Sequence, residues 1–249
     1  MLRWIASHRA TAAALVISAL SGGAQTAAAQ AASAPSDVYI LATLYRRHQT
    51  TPAYDHQTLR RLITQIAPEV VVLDVSPREL REQKVHPSKA EYPEVIFPLV
   101  REGGYKAYAG EPDEPVFTEV VQNLSASLKA FQTDHADLAR ADKAYEEAAW
   151  AALGQLWKTP ADVNSGATDR VLAARRAYQD HLAGPAVAGA WRRWNEHAAS
   201  MVQQAQRENP GKRILVLIGV DNTAALRSTL AGSPALRVVD MESWLRQHP

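Results

Sequence analysis

The sequence predicts an α/β fold: a mostly parallel sheet flanked by helices and interrupted by a large all-helical insertion. Two observations carry this. Short, nearly continuous apolar runs alternate with amphipathic segments over residues 37–113 and again over 210–249, the pattern of strands covered by helices on both faces. Between them, residues 114–209 are alanine-rich with helical spacing, so the sheet domain is expected to be split around that block.

Residues 1–29 read as a secretory signal peptide. Arg3, His8 and Arg9 precede a small, apolar run over 10–20, Ser21, Gly22 and Gly23 break it, and Ala27, Ala28 and Ala29 fit the small-residue cleavage rule. A membrane span needs about 18 or more apolar residues, longer than this run. No stable anchor is expected after cleavage, and the mature chain is expected in the periplasm or outside the cell.

The first strand is expected over 38–44 (VYILATL). A helix follows over 54–66, with Leu59, Leu62, Ile63 and Ile66 on one side and Arg60, Arg61 and Gln65 on the other, and Pro68 ends it. Residues 70–75 (VVVLDV) are β-branched enough to be a second buried strand, and strand, helix, strand implies a parallel crossover. A helix over 93–101 presents Val95, Ile96, Leu99 and Val100, and Gly103 and Gly104 release the chain into a third strand at 105–109. About four helices are expected in 114–209, broken near 159–168 and at Gly184 and Pro185. Trp150, Trp157, Trp191 and Trp194 fall in this block, read as core packing with a ligand-stacking site as the alternative. Strands at 213–218 and 236–240 and helices at 221–230 and 243–247 complete the sheet domain.

Composition narrows the functional classes. Across 249 residues there are 27 Lys and Arg against 26 Asp and Glu, and no cysteine. The lack of thiols excludes disulfides, thiolate metal sites and cysteine nucleophiles. Removing the leader takes away two arginines and no acid, turning a formal charge of +1 into −1. Nucleic-acid binding, which needs a basic stripe against several phosphates, is not expected.

In a parallel sheet the loops beyond the carboxyl ends of the strands form the ligand crevice. Those ends supply Tyr45, Arg46, Arg47 and His48, then Asp74, Ser76 and Arg78, then Glu111 and Asp113, then Asp221 and Asn222, and finally Asp240 and Glu242. Such a cluster could orient a polar substrate, hold a hard cation or perform acid/base chemistry. The competing reading is that these acids cap helices, as Asp221 before Thr223 could. The chain has no G-x-S-x-G elbow, no H-E-x-x-H, no G-x-G-x-x-G and no P-loop, and its eight histidines include no pair at i, i+2 or i, i+4. His48, after a strand end, has a better functional case than His181 or His197.

The order of these pieces resembles the TraB/GumN-like and erythromycin-esterase/ChaN-like superfamily. The matching segments are Ala42-Thr43-Leu44-Tyr45, Val71-Val72-Leu73-Asp74, Trp194-Asn195-Glu196-His197-Ala198-Ala199 and Ile218-Gly219-Val220-Asp221-Asn222, and Glu111-Pro112-Asp113 falls where the family often places an acid. The resemblance implies that hydrolytic members use two histidines and a glutamate to bind a divalent metal or activate water. Here Tyr45 and Asn222 stand at the histidine positions, Asp74 at the glutamate and Trp194 at an arginine. Neither a phenol, titrating near about 10, nor a carboxamide replaces an imidazole in those roles.

Two functions follow. The first is a secreted binding or scaffold protein, a pseudoenzyme with a degenerate crevice for a small polar ligand or protein partner, with no cofactor and no metal favoured. The second is an esterase- or peptidase-type hydrolase with a rebuilt site of Asp74, Glu111, His48 and Asn222, a carboxylate acting as general base and Asn222 donating to the developing oxyanion. Tyr45, Arg46, His48, Arg78 and Asp221 are the expected substrate-binding residues.

Overall fold

Five runs of branched apolar residues pair into one sheet, and their uniform burial sets the order. The computed structural model describes residues 34–249, so the leader assigned to 1–29 lies outside the described residues. The strands are β1 (Ser36–Thr43), β2 (Val70–Leu73), β3 (Lys106–Ala109), β4 (Ile214–Gly219) and β5 (Leu236–Val238), all parallel, in the order β3-β2-β4-β1-β5. β4 (ILVLIG) is buried at every position and takes the centre. Consequently β1 and β2, joined by the first crossover, are not neighbours: Ala42 and Thr43 face Ile218 and Gly219, and Leu73 faces Leu217.

Helices cover both faces. Leu41, Leu73, Leu215 and Leu217 pack on the side of α1 (His56–Ile66), α3 (Phe97–Gly103) and α10 (Met241–Gln247). Ile40, Val72, Val216 and Ile218 pack on the side of α8 (Pro185–Glu208) and α9 (Thr223–Leu230). Short α2 (Pro77–Glu82) follows β2 and is closed by a reciprocal cap between Ser76 and Glu79.

The helical block contains α4 (Val116–Asp134), α5 (Ala136–Leu156), the single turn α6 (Pro160–Val163), α7 (Gly166–Ala183) and α8. The expected break near 159–168 is where Thr159 caps α6 and Ser165 caps α7. α8 also packs on β2, β3, β4 and α9, so its last turns belong to the sheet's own cover. Among the described residues no helix is long and apolar enough to cross a membrane.

Helix α2 is not among the expected elements, the last strand ends at Val238 and not at 240, and two expected helices begin differently. The helix expected over 93–101 opens as a π-helical turn, Tyr92–Ile96, in which the Phe97 N–H reaches the Tyr92 carbonyl. Pro98 has no N–H to offer, and its ring crowds the carbonyl four residues back, which widens the turn before it. The helix after β4 starts at Thr223, after a 3-10 turn at Val220–Asn222, and neither Asp221 nor Asn222 caps it through a side chain. Asp240, by contrast, accepts from the Ser243 N–H and caps α10.

Candidate functional site

The crossovers place a crevice at β4. β4 leads into α9 on one face, while β1 and β2 on either side of it lead into α1 and α3 on the other, so the loops diverge at the carboxyl edge. Tyr45, Asp74 and Gly219 meet there.

Their geometry closes the crevice. Tyr45 follows β1 with φ +52°, a left-handed conformation that costs a non-glycine residue about 1–3 kcal/mol. That backbone lays the ring over β4, and a Cβ at Gly219 would overlap the phenol oxygen, so the close approach requires glycine there. The Tyr45 hydroxyl donates to Asp74 Oδ2 at 2.6 Å, and the Gly219 N–H donates to the same oxygen at 3.2 Å. The Asp74 N–H is shared between the Leu217 carbonyl at 3.0 Å and the Tyr92 hydroxyl at 2.8 Å.

Lys89 joins the second and third strand ends. Its Nζ donates to the Asp74 carbonyl at 2.6 Å, forms an ion pair with Glu111 Oε1 and sits 4.0 Å from Glu79 Oε2. Burial works against the ammonium, but the Asp74 and Glu111 carboxylates outweigh it and raise its pKa. Burial, and then the Asp74 charge, raise Glu111, against the pull of Lys89. Burial and the Asp74 carboxylate also hold the Tyr45 and Tyr92 phenols well above their ordinary value. Glu91, fully buried beside this network, has no hydrogen-bond partner on either carboxyl oxygen, and burial pushes its pKa up to about 7.

Tyr45, Asp74 and Glu111 thus come together at the strand ends, and the other expected residues do not join them. His48 is a core residue: its Nε2 accepts from the Leu44 N–H at 2.9 Å and its Nδ1 sits 2.7 Å from the Tyr54 carbonyl. Burial lowers its pKa to about 4, so it stays neutral with the proton on Nδ1 and offers nothing to a substrate. Arg46 and Arg78 are exposed and show no side-chain hydrogen bond or ion pair among the described residues. Asn222, buried, and Asp221, half-buried, line a separate cleft.

That cleft, about 620 Å³, lies between the β4–α9 loop and the insertion helices α7 and α8. Asp221, offered above as a helix cap, is instead held by the buried Arg175 at 3.3 Å, which also reaches Glu146 at 3.5 Å. Arg176 lies over the Trp191 ring, 3.8 Å from its centroid. The tryptophans divide accordingly. Trp157 is buried and donates to Thr168 Oγ1 at 2.9 Å, whereas Trp191 is a half-buried wall of the cleft.

Sequence reasoning missed Lys89, Glu91 and Tyr92, which come from the segment after α2 and not from a strand end. It also missed Arg175, Arg176 and Asp180 on α7, whose only local signal was the Arg175-Arg176 pair.

The donor set at the closed crevice does not suit the divalent metal that the resemblance implies. One Asp74 oxygen already accepts two hydrogen bonds, and an ammonium occupies the space beside Glu111. Among the described residues no group of three or more His, Asp or Glu side chains is placed to hold a metal ion. In comparisons with family models, curated proteins and solved structures, the chain matches none of them.

Proposed function

We propose that the protein binds a small polar ligand without hydrolysing it, as a secreted, periplasmic and degenerate relative of the TraB/GumN-like and erythromycin-esterase/ChaN-like proteins. One observation carries the reading. The strand-end crevice is plugged by Tyr45, with Asp74 and Glu111 engaged by protein groups, while an open cleft lies beside it at Asp221 and Asn222. A general base must reach a proton on its substrate, and these carboxylates already face a phenol and an ammonium. The leader-like residues 1–29 support the location.

The hydrolase reading is favoured by one feature, the raised proton affinity of Glu111 beside Asp74, since carboxyl pairs driven apart in pKa often divide acid and base roles. The test sets the purified protein against esterase and peptidase substrate panels, with and without divalent metal, alongside thermal-shift screening of polar small molecules. No turnover is expected, together with a ligand that raises Tm. Turnover lost in both Asp74→Asn and Glu111→Gln would establish the hydrolase instead.

A further inference from the structure

The cleft between α7 and α8 carries an unbalanced set of polar groups. Around its rim the charges are matched: Arg175 with Asp221, Arg227 with Asp169, and Arg192 with Glu196 at 3.9 Å. Two charged residues are left over. Arg176 makes one side-chain hydrogen bond, to Gln179 Oε1 at 3.3 Å, and no ion pair among the described residues. Asp180 has no side-chain hydrogen bond there, and its Oδ1 is out of solvent contact. Both line the cleft, four residues apart on α7 and so one above the other on the same face.

The facing helix repeats the arrangement without charge. Trp191 and Asn195, also four apart, line the cleft from α8. The Trp191 indole N–H and Asn195 Oδ1 are both buried without a partner, while the Asn195 amide nitrogen is used on the Trp191 carbonyl at 3.0 Å. Those two unpartnered atoms lie behind the cleft surface, out of reach of solvent, so the polar groups that the cleft presents from its helical walls are the charged pair on α7. Burial, with Arg175 alongside, lowers the Arg176 pKa to about 10 against the pull of the Asp221 and Asp180 carboxylates, and burial raises that of Asp180 against the pull of Arg176 and Arg175. Much of the remaining wall is small and apolar, including Ala177, Ala188, Ala224 and Ala225.

We propose that this cleft takes a free aliphatic α-amino acid, its carboxylate on Arg176 and its ammonium on Asp180, with the Trp191 ring as an apolar wall. The inference rests on the binding function proposed above and names its ligand class. A single charge of either sign would satisfy one leftover residue and leave the other bare, whereas a zwitterion carries both charges on one carbon. A guanidinium presents paired N–H donors that match a carboxylate, which fixes the orientation.

The test is calorimetric titration of the whole protein with leucine, with 4-methylpentanoate, which lacks the ammonium, and with 3-methylbutylamine, which lacks the carboxylate. Leucine is expected to bind about tenfold or more tightly than either analogue. Arg176→Gln and Asp180→Asn should each weaken leucine by about tenfold or more, while exposed Lys143→Gln on α5, away from the cleft, leaves it unchanged. Equal binding of leucine and 4-methylpentanoate would overturn the zwitterion assignment on the unmodified protein, with no variant needed. Binding of a neutral polyol that Asn195→Ala removes, with no response to leucine, would refute the amino-acid ligand and leave the binding function standing. No response to any polar small molecule would count against both.

Discussion

Glu91 shows how a single buried carboxyl sets the pH response of the fold. It is fully buried, both oxygens lack partners, and burial lifts its pKa from the ordinary 4.5 to about 7. The folded state thus holds a proton that the unfolded chain releases between those values. The stability this contributes is complete below pH 4.5 and is lost as pH rises through 7. His48 acts in the opposite sense: with its pKa lowered from 6.5 to about 4, it destabilises the fold as pH falls through that window. Comparing wild type with Glu91→Gln in urea denaturation at pH 5 and pH 8 cancels His48 and isolates Glu91. The variant should gain relative stability at pH 8 by up to about 3 kcal/mol, from about 1.4 kcal/mol per pKa unit. A difference between the two proteins that is the same at both pH values would remove Glu91 as the titrating group. None of this was legible in the sequence, where Glu91 stands between Ala90 and Tyr92 with no pattern to mark it. Its burial arises only when the π turn packs onto the ends of the strands. Tyr45, Asp74 and Glu111 were legible because each follows an apolar run directly, and a strand end points its next residue toward the crevice.

β4 is the element on which the closed crevice depends. Its last residue, Gly219, donates its N–H to Asp74 and leaves room for the Tyr45 ring. Gly219→Ala adds a methyl where the phenol lies, so the ring must leave or β4 must shift. A loss of about 1–3 kcal/mol is expected, of the size found for overpacked sites. Tyr45→Phe should cost less, because the Gly219 N–H still reaches Asp74 Oδ2. Chemical denaturation of the two variants checks the ranking, and a neutral Gly219→Ala would mean that the ring does not sit tightly on β4. β1, β2 and β4 could be read from branched apolar runs, and α1 from its 3.6-residue apolar spacing. The strand order could not, since it is set by long-range pairing between β1 and β4, more than 170 residues apart, and no local pattern encodes that choice. The π turn escaped because Pro93 and Pro98 were read through a continuous helical pattern, whereas proline inside such a pattern changes its hydrogen bonding.

Across the whole molecule, the insertion supplies what the sheet edge has closed off. The strand ends form a network in which phenol, carboxylate, ammonium and backbone satisfy one another, and rigidity is what such a network gives. The cleft beside it combines one loop of the sheet with α7 and α8, so Asp221 and Asn222 face residues about 30–45 positions earlier in the chain. That explains the uneven legibility of the site. Asp221 and Asn222 were visible as strand-end residues, but Arg175, which holds Asp221, and Arg176, Asp180, Trp191 and Asn195, which line the same cleft, lie within helices, where side chains of the same types usually pack or face solvent. The most direct test compares calorimetric binding of the same polar ligand by wild type, Tyr45→Phe and Arg176→Gln. If the ligand occupies the α7–α8 cleft, affinity stays within about twofold in Tyr45→Phe and falls by about tenfold or more in Arg176→Gln. Loss of binding in Tyr45→Phe with full affinity in Arg176→Gln would place the ligand at the strand ends and contradict the closed crevice.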